Sequence, residues 1–365
     1  MRMAVAAFLV LLSVSCGTPT TAKQTNPSPS AALSSAGAVS APRTTSTSPS
    51  PSRWPCPSCP PVRTDYGSTF DASRGSIVVF GGFAYRPNVT RLAETWEWST
   101  GSWIQLHPAV SPSPRDDPAM AFVPDSGVLL YGGQDVLDSN HPVNTGEGRI
   151  VNLAVDTWNW DGTSWTEFHP VHSPQLWVPA MAYDANRHQV VLYGPDRSGG
   201  GWQTWTWDGN DWTLHSGPTA SPDPGRWVGG TIGYDGAIGE VILFGGFNHG
   251  SFDQTAVWGW DGSRWTNLPA LHTPSIPAFS IAAEPGSGRA VIYARDVGGS
   301  STTWAWNGTG WSDVTAQPRP PVILGSRLFP DPIGHRLVLF GEVATGSDSW
   351  YEVWAWSGSS WVKLG

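Results

Sequence analysis

Short runs in which apolar and polar residues alternate return at intervals along the chain. The clearest run carries tryptophan with the constant spacing Trp-x-Trp-x4-Trp, and it occurs six times, at residues 95–106, 157–168, 204–215, 257–268, 303–314 and 353–364. Residues i and i+2 of a strand point to the same face of a sheet, so the first two tryptophans of each run lie on one face. An Asp-Gly or similar pair before the third tryptophan predicts a tight turn and an antiparallel return strand.

A second, more variable part precedes each tryptophan run. It is illustrated by MAYDANRHQVVLYG at residues 181–194 and IGYDGAIGEVILFGG at residues 232–246. Each of these segments predicts a short strand, a tight turn and an apolar strand that ends in glycine. The complete repeat therefore predicts four antiparallel strands, with a variable loop between the second and the third.

Six such sheets, each with a heavily aromatic face, can bury those faces only against one another. Arrangement around a common axis achieves this, so the sequence predicts an all-β fold, a six-bladed β-propeller of four-stranded antiparallel blades. The repeats contain 18 of the 23 tryptophans. Tryptophans at the same positions in every repeat are expected to pack between blades, because each buries ~150–250 Å² there.

The combined pattern YD…VVLFGG…TWxWDGxxWTxL resembles kelch repeats of the kind found in bacterial exported proteins, and it covers about residues 64–364. The resemblance implies the central propeller of the galactose-oxidase-like superfamily, but without its copper site, because no cysteine lies within the repeats. It also implies six complete blades, with no strand exchanged between the termini. The expected repeats span about residues 64–114, 115–175, 176–225, 226–275, 276–321 and 322–365.

The N-terminal sequence predicts a targeting segment. The apolar run at residues 4–14 is too short to cross a bilayer and suits the core of a signal peptide, so residues 1–16 are assigned to it. Cys16 follows this core and resembles the lipid-modified cysteine of a bacterial lipobox, although Ser13 stands where that motif prefers leucine. We therefore expect an extracytoplasmic protein anchored to the cell membrane through a lipid on Cys16. The alternative is ordinary secretion, with Cys16 removed along with the signal peptide.

Two further segments separate the signal peptide from the repeats. Residues 17–53 consist almost entirely of Ser, Thr, Pro, Ala and Gly, which predicts a disordered tether. Residues 54–63 form a lead-in that contains Cys56 and Cys59. In an exported protein this pair predicts a structural disulfide; a redox motif or a zinc site is the alternative.

Charge restricts the partners. The net charge is −9 and charged residues make up 13% of the chain, with no basic run. Nucleic acid is therefore not an expected partner. No cofactor and no metal are predicted, and we expect a monomer.

Candidate binding residues lie where variable connections leave the repeats. The connections between strands two and three, and between strand four and the next strand one, emerge on the same face of each blade, which we call the long-loop face. Trp202 and Trp350 are predicted in loops of the first kind, and Trp177 and Trp227 in connections of the second kind, with Arg115 and Arg226 in comparable places. Such residues suit stacking on a sugar or anchoring of a peptide. The alternative is that they pack at the rim.

The longest predicted loop runs from about residue 133 to residue 156. It carries a set of polar residues that we interpret as a lid or specificity loop, namely Asp135, Asp138, His141, Glu147 and Arg149. Carboxylates and histidine also permit metal binding or acid–base chemistry, which stays open as an alternative.

No complete catalytic motif appears in the sequence. We therefore predict non-catalytic recognition of a glycan or a protein at the cell surface, through the long-loop face. The alternative is an extracytoplasmic glycan hydrolase or lyase whose site is built from several blades. Convergent carboxylates from different blades would favour the enzyme, and an aromatic floor without paired carboxylates would favour binding.

Overall fold

The computed structural model of the protein describes residues 59–84, 90–135, 143–144, 150–216, 222, 231–244, 257–268, 278–296, 298–345 and 348–365. The chain divides into two units, Met1–Pro55 and Cys56–Gly365, and every described residue belongs to the second. All regular elements among the described residues are β-strands. No helix in this part of the chain is long and apolar enough to cross a membrane.

Most of the strands form six antiparallel blades, in each of which four strands follow one another in chain order from the innermost to the outermost. Their bounds are Gly67–Asp71, Ser76–Phe80, Thr95–Ser99 and Ser102–Leu106 in blade 1; Ala119–Val123, Gly127–Asp135, Ile150–Trp160 and Trp165–Phe168 in blade 2; Ala180–Asp184, Gln189–Pro195, Trp202–Trp207 and Trp212–His215 in blade 3; Thr231–Asp235, Glu240–Phe244, Val257–Trp260 and Trp265–Leu268 in blade 4; Ala278–Ala283, Ala290–Arg295, Ser301–Trp306 and Trp311–Asp313 in blade 5; and Leu324–Asp331, Arg336–Thr345, Asp348–Trp356 and Trp361–Lys363 in blade 6. Two short strands, Arg115–Asp116 and Val143–Asn144, also pair within the sheet of blade 2, and Phe83–Ala84 pairs with Thr90–Arg91 in a separate two-stranded sheet.

The six blades close into a ring. The innermost strand of each blade contacts the innermost strand of the next, and that of blade 6 contacts that of blade 1. Each blade takes all four of these strands from one continuous segment, so no strand is exchanged between the termini. The predicted six-bladed β-propeller is confirmed.

Each seam between blades is built around the third tryptophan of the repeat. In every case its ring packs on an aromatic ring near the end of the second strand of the preceding blade, with centroids 5.1–6.1 Å apart. The six pairs are Phe80–Trp165, Tyr131–Trp212, Tyr193–Trp265, Phe244–Trp311, Tyr293–Trp361 and Phe340–Trp103. The second and third tryptophans of all six repeats are buried. These residues therefore pack between blades, as the repeat pattern predicts.

Four of the seams add a buried hydrogen bond. The Nε1 atom of the third tryptophan donates to a threonine hydroxyl of the preceding blade, over 2.9–3.0 Å, in the pairs Trp165–Thr95, Trp212–Thr157, Trp265–Thr204 and Trp361–Thr303. This threonine is the cross-strand partner of the aromatic residue in the same seam. At the seam between blades 4 and 5 the position is Val257, and Trp311 Nε1 has no acceptor among the described residues.

The turns between the third and fourth strands are held by a side chain. Asp161 Oδ1 accepts hydrogen bonds from the backbone N–H groups of Thr163 and Ser164, at 2.7 and 2.8 Å. Gly162, which directly follows Asp161, has a φ of 97°, in the left-handed region that favours glycine. The Asp-Gly pair of the repeat therefore has a structural role, because it forms the turn that returns the chain to the seam.

A short latch joins the beginning of the propeller to its last blade. The backbone N–H of Arg63 donates to the hydroxyl of Tyr351 in blade 6, at 3.0 Å, and that hydroxyl donates to the Pro61 carbonyl at 3.4 Å. Cys59 packs against the core between blades 6 and 1 and is disulfide-bonded. The lead-in segment therefore holds together two blades that no strand links.

Two features differ from the sequence-based expectation. Trp202 begins the third strand of blade 3, and Trp350 lies within the third strand of blade 6, whereas both were expected in loops. In these blades the second and third strands stay paired for a few residues beyond the tryptophan run, as the partners Pro195–Trp202 and Val343–Trp350 show. Apolar residues that continue the alternation extend the hairpin, so the connection is shorter than the sequence suggests.

Candidate functional site

Two predicted tryptophans come together at the long-loop end of blade 3. Leu176 forms an isolated antiparallel bridge with Asp196, so the next residue, Trp177, lies opposite Pro195. Pro195 is in turn the cross-strand partner of Trp202. Directly opposed residues in a sheet point to the same face, so Trp177, Pro195 and Trp202 form one row across the blade. We call it the Trp–Pro–Trp row.

The backbone around Pro195 explains why the row lies at the edge of regular pairing. The Trp177 N–H donates to the Pro195 carbonyl at 2.9 Å. The reciprocal bond cannot form because proline has no N–H. The pairing at Pro195 therefore has one hydrogen bond where a regular pair has two. The chain then enters the innermost strand through Val178, whose φ is 32°.

The row faces blade 4. Leu176 is buried in the core shared with blade 2, and its neighbour Trp177 points to the opposite side of the sheet. On that side, the Trp202 ring stacks on Tyr193 with centroids 5.0 Å apart and planes 18° apart, and Tyr193 packs on Trp265 of blade 4. The row thus lies directly above the seam between blades 3 and 4.

Both indoles of the row are partly exposed and have hydrogen-bonding capacity to spare. Neither Trp177 Nε1 nor Trp202 Nε1 has an acceptor within the described residues. Trp202 is nevertheless fixed, because the Tyr193 ring on which it stacks is held by a hydrogen bond from its hydroxyl to the Pro222 carbonyl, at 2.6 Å. The row combines one ring held by stacking, that of Trp202, with two N–H donors that have no acceptor among the described residues, a combination that suits recognition.

Trp350 lies on a different blade from this row. Its side chain on blade 6 is 39% exposed, and its Nε1 atom donates to Glu352 at 3.0 Å. Glu352 also accepts hydrogen bonds from Trp354 and Lys363. The structure therefore does not bring Trp350 together with Trp177 and Trp202.

Arg115 is fully engaged inside blade 2. It is 1% exposed, and its five N–H groups donate to the Ser113 carbonyl and hydroxyl, the Gly132 carbonyl and both carboxylate oxygens of Asp156. Arg63 repeats the arrangement in blade 1, with Glu94 as its carboxylate at 2.5 Å. These arginines tie the connection before the innermost strand to the third strand, which is a packing role. A ligand contact by Arg115 stays a prediction, and its buried guanidinium has no donor left for one.

Two aspartates from different blades are neighbours where the chain enters the innermost strands of blades 1 and 2, a place that we call the mouth of the central channel. Asp65 in blade 1 and Asp117 in blade 2 each lie two residues before an innermost strand, and both have left-handed backbones, with φ values of 56° and 53°. The Asp117 N–H donates to the Asp65 carbonyl at 2.6 Å, which joins the two blades. Asp65 is exposed, whereas Asp117 is partly buried and accepts a hydrogen bond from Gln134 at 2.8 Å.

The surroundings of Asp117 disfavour its ionisation. Burial, followed by the negative charges of Asp65 and Asp116, raises the pKa of the Asp117 carboxyl to about 8, against the opposing charge of Arg327 and the hydrogen bond from Gln134. Asp116 is itself paired with Arg91 at 2.6 Å. Burial and the neighbouring carboxylates therefore favour the protonated form of Asp117, which lies beside the exposed Asp65.

The remaining candidates fall largely outside the described residues, among them Arg226, Trp227, Asp138, His141, Glu147, Arg149, Cys16 and Cys56. Asp135, from the predicted lid, ends the second strand of blade 2 and accepts a hydrogen bond from the Ser113 hydroxyl. Within the described ranges no three His, Cys, Asp or Glu side chains are grouped so as to hold a metal ion.

Sequence reasoning missed Asp65, Asp117 and Pro195. The sequence does contain a signal for the two aspartates, because each is the last residue of an Arg-x-Asp motif, which begins at Arg63 in blade 1 and at Arg115 in blade 2. No comparable signal marks Pro195, whose importance comes from its cross-strand partners.

No protein-family model matches this chain, and no curated protein matches it. The fold and the two places described above are therefore the basis for a functional assignment.

Proposed function

We propose that this protein is a non-catalytic recognition propeller of kelch type, displayed on the outer side of a bacterial cell membrane, which binds a glycan or a protein through its long-loop face. The observation that carries the proposal is the Trp–Pro–Trp row. Partly exposed indoles leave apolar ring surface in water, which a ligand can cover, and their Nε1 atoms can donate to that ligand. The closed ring supports them, because binding residues on a rigid scaffold lose little freedom when a ligand binds.

The proposed location rests on the N-terminal sequence. A signal-peptide core followed by Cys16 supports lipid modification of that cysteine, and residues 17–53 would then act as a tether. A single acyl chain binds membranes weakly, so stable anchoring takes more than one. Membrane fractionation of cells that carry Cys16→Ser should find the protein in the medium or soluble fraction, and retention in the membrane would contradict the lipid anchor.

Binding of the purified protein to a glycan array and to peptide and cell-envelope fractions tests the recognition function. We expect a ligand whose binding is lost in the Trp177→Ala, Trp202→Ala double variant. Ile104→Ala serves as the control, because Ile104 is 57% exposed on the outermost strand of blade 1, away from the row. A ligand bound equally by both variants would show that recognition lies elsewhere.

The carboxylates at the channel mouth favour a second candidate function, glycoside hydrolysis. A protonated carboxyl group beside a second carboxyl group is the arrangement that such reactions use, with one group protonating the leaving oxygen. Asp117 would be the proton donor, and Asp65 the group that activates water or attacks the sugar. Release of reducing ends from cell-envelope glycans should then fall above pH 8 and be abolished in Asp117→Asn. Absence of turnover, or turnover unchanged in that variant, would exclude this candidate.

A further inference from the structure

We propose that the Trp–Pro–Trp row binds a proline-rich peptide in the polyproline II conformation, with prolines three residues apart. This inference rests on the proposed recognition function and specifies its ligand class. It concerns the described residues of blade 3 alone.

The spacing of the row matches the repeat of such a peptide. Trp177 and Trp202 are separated by the strand that holds Pro195, so their backbones are two strand spacings apart, or ~9.6 Å. A polyproline II helix has three residues per turn and advances ~3.1 Å per residue, so residues i and i+3 lie on one side, ~9.3 Å apart. One proline ring can therefore rest against each indole at the same time, with the ligand running across the three strands.

The hydrogen-bonding groups of the row also fit this ligand. Polyproline II has no internal hydrogen bonds, so its carbonyl groups are free to accept. The row offers donors, since neither Trp177 Nε1 nor Trp202 Nε1 has an acceptor among the described residues. Proline has no N–H, so a proline-rich ligand brings few donors of its own that would need acceptors from the row.

Both partners are ordered before they meet. The Trp202 ring is held by its stack on Tyr193, and the backbone of Trp177 is held by the bond from its N–H to the Pro195 carbonyl and by the burial of Leu176 on the other side of the sheet. The ligand is likewise stiff before binding. Little conformational entropy is then lost on association, which is the advantage of aromatic grooves that recognise proline-rich segments.

Isothermal titration of the purified protein with synthetic peptides tests this proposal. The first peptide carries two prolines as Pro-x-x-Pro, and two controls of equal length and composition carry the same two prolines as Pro-x-Pro and Pro-x4-Pro, with no other proline in any of the three. We expect the first to bind at least five-fold more tightly than either control. Trp177→Ala and Trp202→Ala should each weaken its binding at least ten-fold, and Ile104→Ala should leave it unchanged.

The conservative variants Trp177→Phe and Trp202→Phe control for a loss of folding, because they keep an aromatic ring at each position. They also test the contribution of the N–H donor, which they remove. They should retain a measurable part of the affinity and a near-wild-type unfolding midpoint. Equal affinity for all three spacings, or binding unaffected by either alanine substitution, would overturn the proposal.

A parallel titration with neutral β-linked oligosaccharides separates this inference from the function on which it rests. Oligosaccharide binding that depends on the row, without peptide binding, would overturn the ligand class and leave the recognition function standing. Failure of peptides, oligosaccharides and envelope fractions alike to bind the long-loop face would overturn both.

Discussion

The buried hydrogen bond between Trp212 and Thr157 should contribute measurably to the seam between blades 2 and 3. Trp212 Nε1 donates to Thr157 Oγ1 at 2.9 Å, and both side chains are 1% exposed or less. Thr157→Val keeps the shape of the side chain but removes the acceptor, which leaves a buried N–H without a partner. A buried unsatisfied group costs about 1–3 kcal/mol, so we expect the free energy of unfolding to fall by that amount.

Two companion variants separate the contribution of the hydroxyl group to the free energy of unfolding from that of the methyl group. Thr157→Ser keeps the acceptor and loses one methyl group, for which about 0.8 kcal/mol is expected. Val257→Thr is the reverse change at the seam between blades 4 and 5, where Trp311 Nε1 has no acceptor among the described residues. It should raise the free energy of unfolding by about 0.5–1.5 kcal/mol.

Urea denaturation followed by tryptophan fluorescence provides the assay, because the midpoint moves with stability when the slope is unchanged. The reasoning would be refuted if Thr157→Ser were more destabilising than Thr157→Val. It would also be refuted if Val257→Thr lowered the midpoint, since the seam would then depend on packing and not on the hydrogen bond.

Two further predictions concern buried charges. Arg115→Met should lower the free energy of unfolding at pH 7 by about 3 kcal/mol, because it leaves the Asp156 carboxylate, which is 24% exposed and still accepts a hydrogen bond from Trp158 Nε1, without its ion-pair partner. Burial opposes ionisation of Asp156, but its hydrogen bonds and ion pair with Arg115 outweigh burial and hold its pKa below the usual range. The pair therefore stabilises the fold above pH ~4, and the difference between variant and wild type in urea should shrink as the pH falls below that value. For Asp117 the folded pKa is raised, so its stabilising contribution is present below pH ~4 and is lost as the pH rises towards about 8. Asp117→Asn should make the unfolding midpoint less dependent on pH between 5 and 8, and an unchanged dependence would contradict the burial of this carboxyl group.

The sequence predicts the structure best where the structure depends on residues close together in the chain. The Trp-x-Trp spacing has the period of a strand, and the Asp-Gly pair before the third tryptophan closes a turn within four residues. These local signals, returned six times, are sufficient to predict the blades. Burial of Trp160 and Trp165 against blade 1 follows, because a sheet with such a face must be covered.

The candidate sites are less predictable because they depend on residues far apart in the chain. Trp177 and Trp202 meet only through the register of Pro195, which nothing in the repeat specifies. The raised pKa of Asp117 arises first from burial and then from the charges of Asp65, in another blade, and of its neighbour Asp116. Arg115 is predicted as a binding residue because it adjoins a long connection, yet the carboxylate directly before the tryptophan run, Asp156, pairs with it inside the blade.

The latch at residues 59–63 gives the propeller a mechanical property. Five seams are spanned by the polypeptide itself, as the chain passes from one blade to the next, but the seam between blades 6 and 1 is not. Tension applied through the chain before Cys59 therefore reaches the ring at the seam between blades 6 and 1, which the chain does not cross. There it is shared between the Tyr351 hydroxyl and the buried Arg63, whose guanidinium bonds to Gly81 and Glu94 and so transfers the load into blade 1. A pull on the N-terminus loads two blades together, and the ring resists opening at its one discontinuity.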